Sequence, residues 1–149
     1  MSVHIEGERV IDAPRERVFA ALTDPEVVAE TVPLVESFEV KDADHWEMTV
    51  RVPLPMAKAL KLAFEVVDKR PHEHATLRAN GGGMLGGASV ESNFDLSDAP
   101  GGTLVRFRAD LAFRGALAPA ERLLEPIAQR QAQKTLDAIE RSVSGGSAA

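Results

Sequence analysis

The sequence predicts an α+β fold: a curved antiparallel sheet of about seven strands wrapped around one long C-terminal helix, with two short helices after the first strand. Three observations predict it. From Val35 to about Phe113, apolar and polar residues alternate with period two, the mark of strands with one buried face. From about Pro119 to Val143 the period changes to a helical stripe. Ahead of the strands, two short stretches each open on an Asp and Pro step, a helix-start signal. A sheet that is apolar on one face needs a cover, and the long helix supplies it.

Val3 to Ile11 reads as the first strand. Asp12-Ala13-Pro14 starts a helix, with Pro14 in its first turn, where a missing N–H costs little; Val18, Phe19 and Leu22 form its buried side. Asp24-Pro25 starts a second, capped by Asp24, carrying Val27, Val28 and Val32 and stopping at Pro33. "VESFEV" is the next strand, and Lys41 to Asp44 a turn. "HWEMTVRV" puts Trp46, Met48, Val50 and Val52 inward, and "PLPM" breaks it. "LKLAFEVV" buries Leu60, Leu62, Phe64 and Val66 before the turn "KRPHEH". "ATLRAN" and "ASVESNFDLS" alternate in the same way, burying Ala75, Leu77 and Ala79, then Ala88, Val90, Ser92, Phe94 and Leu96. After the turn "SDAPGG", "LVRFRADLAF" buries Val105, Phe107, Ala109, Leu111 and Phe113. The final stripe holds Leu117, Ala120, Leu124, Ile127, Ala128, Gln131, Thr135 and Ala138, and Pro126 inside it should kink the helix or split off its first turn.

"NGGGMLGGAS" contains a literal G-x-G-x-x-G at Gly81, Gly83 and Gly86. A dinucleotide site needs those glycines to follow a strand and open a helix inside a βαβ unit. Here a strand follows, so the glycines read as a hairpin loop.

Composition narrows the class. The 149 residues make one domain, residues 1–143, with 144–149 as a flexible tail. A net charge of -6 disfavours nucleic-acid binding, which needs a basic footprint. There is no cysteine, hence no disulfide and no thiolate metal site. No apolar run is long enough to span a bilayer and no basic apolar signal opens the chain, so a cytoplasmic protein without a transmembrane segment is expected.

The opening "IEGERVIDAPRERVFAALTDPEVVAETVP" resembles that of the START-like helix-grip (SRPBCC) superfamily, which includes START lipid-transfer domains, polyketide cyclases and birch-pollen allergens. Ala13-Pro14, Val18, Leu22, Asp24-Pro25, Pro33, the glycine hairpin and the last helix carry the resemblance over about residues 3–143. Within the superfamily the chain is most similar to the CoxG group of carbon monoxide dehydrogenase subunits. The resemblance implies a hydrophobic cavity for a lipid, quinone, sterol or polyketide. The CoxG group further implies service to a molybdenum-dependent dehydrogenase, with membrane recruitment or quinone handling.

No catalytic constellation is legible. Alternation sends Glu47, Arg51, Glu65, Glu91, Asp95, Arg106, Arg108 and Asp110 outward. His72, Glu73 and His74 sit in a turn beside Pro71 with no third ligand cluster, and His4 and His45 are isolated near strand ends. Neither a cofactor nor a metal is expected. The expected function is to bind or carry a hydrophobic small molecule between sheet and helix. The predicted lining is Trp46, Met48, Leu62, Phe64, Leu77, Val90, Ser92, Phe107, Leu111, Leu124, Ile127, Ala128, Gln131 and Thr135. Ser92, Gln131 and Thr135 either bond nearby backbone or orient the ligand's carbonyl or hydroxyl. Met84, Leu85 and Glu121 are placed at the entrance. A cyclase or hydrolase of the same fold, or a protein adaptor with no ligand, are the alternatives.

Overall fold

The computed structural model describes residues 2–31, 35–51, 59–83 and 86–147. Seven strands form one antiparallel sheet: β1 (Ser2–Ile11), β2 (Val35–Asp42), β3 (His45–Arg51), β4 (Ala59–Arg70), β5 (His74–Gly83), β6 (Gly86–Ala99) and β7 (Gly102–Gly115). Their spatial order is β1-β7-β6-β5-β4-β3-β2, so β2 to β7 run as a meander and β1 joins at the far side of β7. Helices α1 (Arg15–Leu22) and α2 (Pro25–Thr31) connect the two edge strands β1 and β2, and α3 (Ala120–Ser147) is the long C-terminal helix.

The strand faces follow the alternation. On β7, Val105, Phe107 and Ala109 are buried while Arg106, Arg108 and Asp110 are exposed. Phe107 stacks on Phe94 of β6, with ring centroids 4.9 Å apart. Cross-strand aromatic pairs of this kind add to the stabilisation that burial supplies. A bulge between Val66 and Asp68 shifts the register of β4 against β5, and Val67 becomes exposed.

The glycine stretch is built into the β5–β6 ladder. Gly81 pairs with Ala88, Gly82 with Gly87 and Gly83 with Gly86. The glycines are therefore strand residues rather than the loop itself, and no helix follows them. A phosphate-binding loop needs that helix.

Three helix boundaries differ from expectation. Pro14 is the N-cap of α1, in extended conformation, and its carbonyl receives the N–H groups of Arg17 and Val18. Asp24 caps α2 as expected, accepting the Glu26 N–H at 3.0 Å. In α3, Pro126 sits within one continuous helix rather than splitting off a first turn, although its nitrogen can donate no hydrogen bond to the preceding turn. The same helix runs on to Ser147, past the Val143 boundary of the expected tail. Val143 is buried and its carbonyl accepts a hydrogen bond of 2.6 Å from Arg17 Nη2, which ties the last turns to α1. Val32, Pro33, Val52 and the "PLPM" break lie outside the described residues.

Candidate functional site

Helix α3 meets the sheet along one row and stands off it along another. Ala132 and Leu136 lie against β1 at Gly7, where an added Cβ would fall 3.4 Å from the Ala132 Cβ. That close approach uses up one row of the helix. The neighbouring row, Gln131, Thr135 and Ile139, faces the sheet across a cavity of about 160 Å³. The far wall comes from β4 to β7: Leu62, Phe64, Leu77, Ala79, Ala88, Val90, Ser92, Phe94, Phe107, Ala109, Leu111 and Phe113. Ile5 of β1 and Leu22, Val27 and Val28 of α1 and α2 close it. Ala79, Ala88 and Ala109 are buried in that wall, and their small side chains leave the space that α3 does not fill.

Register locates the mouth. Arg51 pairs with Ala59, Gly83 with Gly86, and Gly86 with Gly115, so these positions mark one end of the sheet. Val50, Arg51 and Leu60 line the cavity at this end, and Arg51 is both lining and exposed. Among the described residues the cavity therefore meets solvent there, at the end from which the chain leaves β7 for α3.

Three polar side chains face this apolar space. Ser92, Gln131 and Thr135 line the cavity, and none makes a side-chain hydrogen bond to another described residue. Thr135 is only 3% exposed. Ser92 and Gln131 are half-buried, and the polar atoms of all three stay open to the cavity space, unlike the sealed and unpartnered Trp46 Nε1 and Glu121 Oε1. Among the described residues none of the three donates a side-chain hydrogen bond to backbone. A carbonyl or hydroxyl brought in by a ligand would satisfy them.

Of the residues expected at the site, Leu62, Phe64, Leu77, Val90, Ser92, Phe107, Leu111, Gln131 and Thr135 line the cavity. Trp46, Met48, Ile127 and Ala128 do not line it. Trp46 stacks on Phe64 at 5.9 Å and is sealed in the core with Met48; alternation identifies a face but not which part of that face is packed shut. Trp46 Nε1 is buried without a hydrogen-bond partner among the described residues. Ile127 continues the Gln131–Thr135 row by one turn, yet is 36% exposed, so cover ends between Gln131 and Ile127. Ala128 is buried away from the cavity. Glu121, in the first turn of α3, is also absent from the lining; its Oε1 is buried and unpaired. The Leu124 side chain, Met84 and Leu85 lie outside the described part. The sequence reading missed the closing contribution of Leu22, Val27 and Val28. Their apolar spacing was legible, but nothing local shows that α1 and α2 fold back over the cavity.

No acid or base joins the three polar groups in the lining; Arg51 is the one charged residue there among those described. The chain His74, Thr76 and Asp95 has the spacing of a nucleophile relay, with His74 Nε2 2.9 Å from Thr76 Oγ1 and His74 Nδ1 2.7 Å from Asp95 Oδ1. It lies on the convex face, however, and Thr76 is buried and donates its proton to Asn93 Oδ1 at 2.8 Å. A nucleophile must be reachable and within a pocket. His74 also corrects the reading of "HEH" as one turn, because it opens β5 while His72 stays in the turn with φ 68°. Among the described residues no three His, Cys, Asp or Glu groups converge as metal ligands, and no helix is long and apolar enough to cross a membrane.

The CoxG family of carbon monoxide dehydrogenase subunits matches residues 7–144. The chain belongs to the CoxG family. No curated protein matches it in sequence. Solved structures share the fold of this CoxG chain at low identity. A conserved protein from Geobacillus kaustophilus is 20% identical with a TM-score of 0.74, over 97% of this chain and 96% of that one. Ara h 8.0201 is 17% identical with a TM-score of 0.66, over 97% and 99%. StfQ, a di-domain ARO/CYC protein of the steffimycin biosynthetic pathway, is 11% identical with a TM-score of 0.64; all of this chain matches 53% of that one. The CoxG chain thus shares with Ara h 8.0201 and StfQ one fold, a curved antiparallel sheet with a long C-terminal helix.

Proposed function

We propose that this chain binds and carries one compact hydrophobic molecule bearing a carbonyl or hydroxyl group, held between the sheet and α3. The observation that carries the reading is the largely apolar cavity onto which three polar side chains, Ser92, Gln131 and Thr135, open without a side-chain hydrogen bond among the described residues. Ligand sites have this composition: mostly apolar, with a few polar groups that set orientation. The volume limits the occupant. An engineered apolar cavity of about 150 Å³ binds benzene, so about 160 Å³ accepts a body near the size of one ring. A larger lipid would have to extend through the mouth. In keeping with its family, the chain would pass such a molecule to or from a molybdenum-dependent dehydrogenase.

A cavity-filling substitution tests the binding step. Ala109 lies mid-wall, paired with Ile5 on one side and Ser92 on the other. Ala109→Phe would place its ring in void. Its urea midpoint should hold or rise, while binding of a polarity-sensitive apolar dye is lost. An overpacked core would instead lose ~1–3 kcal/mol. That loss, in a protein whose wild type takes up no dye and carries no small molecule in native mass spectrometry, would favour the adaptor reading.

A further inference from the structure

We propose that the ligand is an organic monocarboxylate whose head is read by Arg51 at the cavity mouth while its apolar body fills the space beneath. The inference rests on the cavity being a ligand site, and it names the class of molecule that site takes.

Three observations carry it. Arg51 is the one charged residue among the described lining residues, and it stands at the open end with its side chain largely in solvent. Its position there is a product of the fold: it is the last residue of β3, paired with Ala59, beside the inward-facing Val50. Its ion-pair partner leaves it available. Arg51 Nη2 lies 3.6 Å from Glu36 Oε2, and the two side chains are 69% and 43% exposed. An exposed pair at that distance contributes ~0–1 kcal/mol and exchanges readily. A guanidinium carries five N–H donors in a planar fork that matches a carboxylate in two parallel hydrogen bonds.

The rest of the wall gives the molecule its direction. The interior has no second charge among the described residues, so an ionised carboxylate cannot be placed there without a large desolvation cost. At the mouth the same group keeps part of its water and gains Arg51. The apolar body then points inward, toward Ala79, Ala109 and Phe107, and a further oxygen on the body can meet Ser92, Gln131 or Thr135. Glu36 works against an incoming anion, so its removal should improve binding.

The test compares two molecules of equal body and unequal head, hydrocinnamate and hydrocinnamyl alcohol. Binding is followed by two-dimensional NMR titration at fixed ionic strength, reading the Ala79 and Ala109 amides and the Arg51 Nε–H signal. Wild type should bind the acid about tenfold more tightly than the alcohol, the scale of one hydrogen bond to a charged group. The Arg51 signal should move with the acid alone. Arg51→Gln should bring the acid to the level of the alcohol and leave the alcohol unchanged, and Glu36→Gln should tighten the acid. Equal affinities in wild type, or an Arg51→Gln variant that weakens both molecules alike, would overturn the carboxylate inference and leave the cavity reading standing. If neither molecule shifts the wall amides, the cavity reading falls and this inference falls with it.

Discussion

Arg9 of β1 and Asp137 of α3 form an ion pair that anchors the long helix to the first strand, and Arg9 Nη2 also donates to Gln133 Oε1 at 2.8 Å. The Arg9 side chain is 23% exposed, so this contact is better shielded than the Arg78–Glu91 and Arg106–Glu8 pairs across the sheet. It sets the helix at the height where Ala132 meets Gly7 and the Gln131–Thr135–Ile139 row overlooks the sheet. A double-mutant cycle of Arg9→Gln and Asp137→Asn should give a coupling of ~1 kcal/mol in urea unfolding, reduced from the buried-pair range because Asp137 is half exposed. A coupling near zero would mean that packing alone holds α3.

Phe107→Ala should cost ~3–5 kcal/mol, because it removes a buried ring stacked on Phe94. Arg106→Ala, on the other face, should cost under ~0.5 kcal/mol. Its partner Glu8 is at 3.2 Å, but both side chains are mostly exposed. Equal shifts of the two urea midpoints would contradict the register of β7.

Gly86 has φ 131°, and a Cβ there would stand 2.1 Å from the Arg114 carbonyl oxygen. Gly86→Ala should therefore lose ~2 kcal/mol or more, since strain and backbone clash combine. Gly101, at φ 92°, has open space around it. Gly101→Ala should lose only ~1 kcal/mol, the strain alone. Matching losses would show that no clash exists at the β6–β7 margin. ATP and NAD should show no saturable binding in calorimetry, because no helix follows these strands.

His4 and His45 should titrate above 6.5. Hydrogen bonds donated to Glu6 and then to Asp110 raise His4, and one donated to Asp42 chiefly raises His45. A raised folded pKa stabilises the fold fully below the unfolded value of about 6.5, and the contribution fades as pH climbs through the folded value. Stability should thus decline gently from about pH 6.5 upward. Both groups are exposed, so the change is small. Ring-proton NMR should show His45 returning toward its ordinary value in Asp42→Asn, and His4 moving down in Asp110→Asn.

Much of the fold was legible because strand and helix periods are local. From Val105 to Asp110 apolar and charged side chains alternate, and burial on β7 follows that order. Asp24 precedes Pro25 and caps α2. The same periodicity placed Leu62, Phe64, Leu77, Val90, Phe107 and Leu111 on the face that carries the cavity. The sequence by itself thus determined the order of elements, the buried face of the central strands and the family.

Only the tertiary structure decided which part of that face stays open. Trp46 and Met48 share a face with Val50, yet they are packed shut and Val50 lines the cavity. Ala128 and Gln131 lie one turn apart on the helical stripe, yet the approach of α3 to Gly7 sends one into the core and the other to the cavity. Arg51 belongs to the outward set by alternation and reaches the mouth because its strand ends there. The physical reason is that periodicity fixes a side chain's direction from its own backbone. Whether anything fills the space it points into depends on how closely distant segments approach, and no local pattern encodes that distance.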